Sequence, residues 1–161
     1  MEFGSNFDEN PREKYISNNP DRHMHPELVV LTGVPGSGKS TLAKKKFPHH
    51  KRINLDTLKS RSLEILEISR ALKNGEDVVI DNTNTTVKSR LRYLDIAKSL
   101  GIPVRSIYLK SPLEIALKRN NMRSGKERVP DFVVKLYFRR IEPPQIDEGF
   151  DSVVVIDMEG S

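Results

Sequence analysis

The chain contains no cysteine. That excludes a disulfide framework and any cysteine-based metal site. No apolar run comes near the roughly 20 residues that a membrane helix needs. No apolar signal-peptide core stands near the start, and there is no internal repeat. These absences give a reading of a soluble intracellular protein without a membrane partner, cytoplasmic by default with a nuclear location left open. Strong charge imbalance is also missing: 27 Lys and Arg against 22 Asp and Glu leave a net charge of +5 over 161 residues. That length suits one domain with one sizeable core.

What is present is uneven. Residues 1–5, Met-Glu-Phe-Gly-Ser, read as a cloning scar. Residues 6–26 are polar, carry Pro11, Pro20 and Pro26, and hold no sustained period. They read as a flexible or loosely packed arm, which leaves residues 27–158 as the domain. Between Arg105 and Arg140 stand ten basic and three acidic residues, a local excess of +7. Such an excess suits phosphate-rich ligands, a nucleotide or a nucleic acid, and also describes a plain solvated surface.

The chain is organised around residues 28–45, LVVLTGVPGSGKSTLAKK. Within them Gly33-Val34-Pro35-Gly36-Ser37-Gly38-Lys39-Ser40 matches the phosphate-loop pattern GxxxxGK[ST] in full. A buried apolar strand precedes it and a helix opening at Thr41 follows. Glycines let the loop backbone approach phosphate oxygens, and its N–H groups and the helix N-terminus bind the anion. Lys39 reaches the β- and γ-phosphates of ATP or another nucleoside triphosphate, and the Ser40 hydroxyl holds Mg²⁺.

Strand and helix patterns alternate after the loop. Strands are expected near residues 51–54, 77–81, 104–109 and 152–156. Apolar residues at helical spacing run from Leu58 to Leu72, from Val87 to Leu100 and from Phe132 to Ile141, and Pro112 fits the first turn of another helix. Alternation with apolar strands means an α/β fold whose parallel sheet is covered on both faces. The expected architecture is a P-loop NTPase, adenylate-kinase-like: a three-layer sandwich with a five-stranded parallel sheet and a helical lid. Its functional loops gather at the carboxyl ends of the strands.

Three groups at those ends carry chemistry. Asp81 follows an apolar strand, where an aspartate orders the water shell of Mg²⁺, or caps a turn. Asp56 stands where a carboxylate can deprotonate a phosphoryl acceptor, or merely cap the helix starting near Thr57. Arg119 and Arg123 lie four apart, able to close over the phosphates or to belong to a solvated helix. The run from Asp81 through Asn82, Thr83 and Asn84 to Thr85 binds an acceptor phosphate or forms a capping turn.

Three stretches in order, INLDTLKS, VVIDNTNTTVKSRLRYLDIAKSLGIPVRSIYL and KRNNMRSGKERVPDFVVKLYFRRIEPPQIDEGF, are similar to the polynucleotide 5′-hydroxyl kinases. Both the phage type and the kinase module of animal polynucleotide kinase–phosphatase show the likeness, which runs from about Leu28 to Ile156. The resemblance implies Mg²⁺-dependent transfer of the ATP γ-phosphate to a 5′-hydroxyl end of DNA or RNA. It makes Asp56 the general base and Arg123, with Arg119, the lid arginines. Thr83, with Asn84 and Arg90, contacts the acceptor. Lys59 stands where the phage type has an acceptor-binding arginine, with Arg61 close by. The DxDxT motif of the phosphatase module is missing, so 5′ phosphorylation without 3′ dephosphorylation is expected, with other end-healing or ligase domains as partners. Two other readings stay open: a small-molecule or tRNA-modifying kinase on the same fold, and an ATPase module that is not a kinase. Oligomeric state is not legible.

Overall fold

The computed structural model describes residues 13–17 and 26–158. Six strands form one sheet: β1 (Glu13–Ser17), β2 (Leu28–Thr32), β3 (Lys51–Ile53), β4 (Val78–Ile80), β5 (Val104–Lys110) and β6 (Ser152–Asp157). Their order is β1-β6-β5-β2-β4-β3. Strands β2 to β6 run parallel to their neighbours, and β1 pairs antiparallel with β6. The five-stranded parallel sheet is therefore present, with an added antiparallel edge. That edge lies inside the stretch read as a loose arm. Five residues without a sustained period give little local strand signal, and the pairing comes from β6, far along the chain. The proposed scar and the rest of residues 6–25 lie outside the described residues.

Helices lie on both faces: α1 (Lys39–Lys46), α2 (Leu55–Leu58), α3 (Arg61–Lys73), α4 (Val87–Leu100), α5 (Leu113–Asn121) and α6 (Asp131–Arg140). The place of the central strand β2 explains its all-apolar composition. Leu28 and Val30 join the core beneath α3 and α4, with Ile68, Leu72, Tyr93 and Leu94. Val29 and Leu31 join the opposite core, beneath α1, with Ala43, Phe47, Ile107 and Leu109. A strand buried on both faces has no polar side to show. A third apolar cluster packs α5 and α6 against loop residue Val34 through Ala116 and Val134.

The helix expected from Leu58 to Leu72 is two helices. Lys59 takes a left-handed φ of 61°, ending α2, and Ser60 caps α3 by accepting from the Leu63 N–H. Leu63, Ile65 and Leu66, counted in the apolar period, face outward. The buried face of α3 is instead Glu64, Ile68, Ala71 and Leu72. Gly101, at φ 67°, ends α4 in a left-handed cap. Below the sheet, Glu27 accepts bidentate bonds from Arg105 at 2.7 and 2.9 Å and pairs with His50 at 2.8 Å. Burial alone would raise this carboxyl. The bonds and charges of His50 and Arg105 outweigh it and hold the group at about 2.

Candidate active site

The phosphate loop sits at the carboxyl end of β2 and is tied to the loop after β4 by the Gly33 N–H donating to the Thr83 carbonyl at 3.0 Å. Gly36 has φ +85°, and a Cβ there would stand 2.3 Å from the Ala116 carbonyl oxygen. The residue must be glycine for α5 to press its backbone on the loop. Pro35 and Ser37 are buried within the loop, and Thr41 is exposed in the first turn of α1.

Lys39 folds back into the loop. Its ammonium donates to the Gly33 and Val34 carbonyls, each at 2.9 Å, and to Ser37 Oγ at 3.4 Å. Burial pushes its pKa down to about 8, against the pull of Asp81 and with the push of Arg123. Those carbonyl oxygens hold the cation where anionic oxygens would serve it better. Arg119 Nη1 donates to the Ser37 carbonyl at 3.2 Å, so the end of α5 already touches the loop. Arg123 donates to the Glu127 carbonyl at 3.2 Å, within the lid segment between α5 and α6. Asn120 pins the far end of that segment through both Val129 N–H and C=O.

Ser40 Oγ donates to Asp81 Oδ2 at 3.0 Å. A hydroxyl and a carboxylate are hard oxygen donors, and Mg²⁺ uses one or two such protein groups with water and phosphate oxygens completing its shell. The pair fits a Mg²⁺–nucleotide. No group of three or more His, Cys, Asp or Glu gathers for a metal among the described residues, and this mode of binding needs none.

Asp56 does not cap a helix; Asn54 does, with its Oδ1 accepting from the Thr57 N–H at 3.3 Å. Asp56 is exposed in the first turn of α2. A single-turn helix is unstable alone, so side chains hold this one. Asn54 Nδ2 donates to the Asp81 carbonyl at 2.8 Å, and Asn82 Oδ1 accepts from the Leu55 N–H at 2.9 Å. Asn82 Nδ2 in turn donates to Glu64 Oε2 at 2.8 Å and to Tyr93 Oη at 3.1 Å. Tyr93 donates to Glu64 Oε1 at 3.0 Å, and burial lifts its phenol to about 12. Strands β2, β4 and β3 are neighbours, which sets the ends bearing Lys39 and Asp56 two strand spacings apart, about 10 Å.

Other expected contacts fall differently. Arg90 is fully buried and holds Glu148 with Nε and Nη2, both at 2.9 Å, and the Asn84 carbonyl with Nη1 at 2.9 Å. Asn84 is buried at φ 47° and donates to the Leu31 carbonyl at 2.8 Å. The resemblance assigns both to an acceptor; both are committed inside, where they shape the Asp81–Thr86 loop. Arg61 donates to Glu64 at 2.9 Å and Tyr93 at 3.0 Å while its side chain stays half exposed. Lys59 is exposed and Thr83 half-buried. Periodicity and motif spacing missed Glu64, Asn54, Tyr93 and Arg52. A glutamate on the inner face of a helix was the one available signal, because a buried carboxylate needs partners.

A family model described as an AAA domain matches residues 28–144, from the strand before the phosphate loop to the end of the lid. The chain belongs to this family. It is 37% identical, over 92% of its length, to a protein named bifunctional polynucleotide phosphatase/kinase from Schizosaccharomyces pombe, and spans 39% of that relative. It is 30% identical, over 77% of its length, to an L-seryl-tRNA(Sec) kinase of Methanococcus maripaludis, of which it spans 56%. Among solved structures, a chain of the Pnkp1/Rnl/Hen1 RNA repair complex superposes with a TM-score of 0.68 at 22% identity, covering 84% of this chain and 50% of that one. The last likeness concerns the fold, which is that of the P-loop kinases. The expected resemblance to the polynucleotide kinases agrees with the name of the S. pombe relative. Gly33 to Ser40 lie within the residues that the AAA-domain model matches.

Proposed function

We propose that this domain transfers the γ-phosphate of ATP to a 5′-hydroxyl end of DNA or RNA, with Mg²⁺. The observation that supports it most is the pinning of α2. Asn54 and Asn82 hold an exposed aspartate on one helical turn, beside the strand ends that carry the phosphate loop and Asp81. A nucleotide-binding switch would have no use for a carboxylate fixed there.

In this reading Lys39 leaves the Gly33 and Val34 carbonyls for the β- and γ-phosphates. Ser40, and Asp81 through water, would hold Mg²⁺, which neutralises phosphate charge. Asp56 accepts the proton of the 5′-hydroxyl as its oxygen bonds to the γ-phosphorus, and the bond from that phosphorus to the β,γ-bridging oxygen breaks to release ADP. Arg123 and Arg119 close over the transferring group. Thr83, Lys59 and the exposed part of Arg61 meet the acceptor. The substrate is a nucleic-acid end, and end-healing or ligase domains are the natural company of such a chain.

Incubation with γ-labelled ATP, Mg²⁺ and matched DNA and RNA oligonucleotides tests this. Label should appear on 5′-hydroxyl strands and not on 5′-phosphorylated ones. The likeness to a tRNA kinase favours a second reading, with an aminoacyl-tRNA or small hydroxyl acceptor. ATP consumption without labelled oligonucleotide would move the assignment there.

A further inference from the structure

Arg52 stands in β3, on the edge of the sheet, and none of the roles above includes it. Its Nε donates to Asp81 Oδ2 at 2.7 Å and its Nη2 to Ser40 Oγ at 3.3 Å. Ser40 donates to that same Oδ2. The guanidinium thus bonds both members of the pair whose donor chemistry fits Mg²⁺. Burial of the two ends differs: the Asp81 side chain is 2% exposed and that of Arg52 37%. The carboxylate stays put, while the cation has open solvent to move into. Lys39 is the other cation whose charge interacts with Asp81, so one carboxylate serves two positive side chains.

We propose that Arg52 is a displaceable counter-cation of the Ser40–Asp81 pair, which competes with Mg²⁺ for these oxygens and sets the Mg²⁺ concentration at which nucleotide binds. The proposal rests on the Mg²⁺–nucleotide reading of the site. Electrostatics gives it a direction. Mg²⁺ alone would add positive charge to a place that already holds two cations, and would free a guanidinium with nothing to pair with. Mg²⁺ arriving with a polyphosphate brings anionic oxygens for Lys39 and offsets the added positive charge, while the released Arg52 turns to solvent. Ion and nucleotide therefore bind as a pair, and Arg52 enforces the pairing.

The test uses binding, not turnover. Fluorescence of mant-ADP is followed as Mg²⁺ is raised, for the wild type, Arg52→Gln, Arg52→Lys and Ser40→Ala, each checked for folding by its thermal midpoint. Arg52→Gln should lower the half-saturating Mg²⁺ about three- to tenfold, the scale of one partly exposed ion pair. Arg52→Lys, which keeps the charge but loses the fork that reaches both Asp81 and Ser40, should fall between Arg52→Gln and the wild type. An unchanged or raised midpoint in Arg52→Gln, with Ser40→Ala still weakening the Mg²⁺ response, overturns the role of Arg52 alone. Nucleotide binding that ignores Mg²⁺ in the wild type overturns both this role and the metal reading beneath it.

Discussion

Replacing Asn82 by alanine removes one side chain that joins the buried Glu64–Tyr93 pair to the helical turn bearing Asp56. Three hydrogen bonds go: to Glu64 at 2.8 Å, to Tyr93 at 3.1 Å and from Leu55 at 2.9 Å. The bond to the carboxylate is the strong one, about 2 kcal/mol, and the other two are worth about 1 kcal/mol each. Glu64 keeps Tyr93 and Arg61 on its other oxygen, so its charge is not stranded. Water entering the gap recovers part of the loss. The net destabilisation should be about 2–4 kcal/mol, read as a shift in urea unfolding midpoint. The functional loss is separate. With the Leu55 N–H released, α2 keeps its Asn54 cap, the Asn54 tether to the end of β4 and the packing of Leu58 on the core. Misplacing a general base by about 1 Å costs on the order of 100-fold. So kcat should fall about 10- to 100-fold while nucleotide affinity, set by the phosphate loop, changes less than about twofold. A stability loss below about 1 kcal/mol would show that these bonds carry no weight. A large stability loss with unchanged kcat would refute the idea that Asn82 positions Asp56.

Three further outcomes follow from the geometry. Gly36→Ala should abolish nucleotide binding in an equilibrium titration, because the new methyl meets backbone at the Ala116 carbonyl and the φ of +85° is itself unfavourable. Lys39→Met should also abolish binding, yet raise stability near neutral pH. The buried ammonium has its pKa lowered from 10.5 to about 8, so the native state binds fewer protons than the unfolded state between those two values. Wild-type stability rises across that window, and the advantage of the methionine variant should shrink there. Glu27 gives the opposite limb. Its carboxyl is held at about 2 by His50 and Arg105 against burial, below its ordinary 4.5. Its contribution is therefore complete above that ordinary value and is lost as pH falls toward the lower one. Glu27→Gln should remove that part of the acid dependence, measured as unfolding free energy from about pH 6 down to about pH 2.

The parallel core of the fold was legible because its signals are local. An apolar run, a glycine loop with lysine, and apolar residues at helical spacing need no distant partner to be recognised. Strand β1 was hidden because its order comes from β6. The split of α2 from α3 was hidden because Ser60 is both a good cap and an acceptable helix residue, so apolar spacing ran across it. The fold brings Ser40 of the phosphate loop against Asp81 at the end of β4. Arg90 and Asn84 sit in the expected loop, but tertiary burial decided what they do. Glu148, more than fifty positions away, takes the guanidinium that the resemblance gave to an acceptor. Chain spacing records which residues travel together and not which way their side chains turn. The same limit concealed Arg52, one basic residue among 27 Lys and Arg until β3 is laid beside β4.

The most direct test of the account is single-turnover transfer from γ-labelled ATP to a 5′-hydroxyl oligonucleotide by the wild type and Asp56→Asn. The wild type should label rapidly and the variant at a rate at least about 100-fold lower, with nucleotide affinity retained. Equal rates would contradict Asp56 as the base, and absence of transfer by the wild type would contradict the polynucleotide kinase itself.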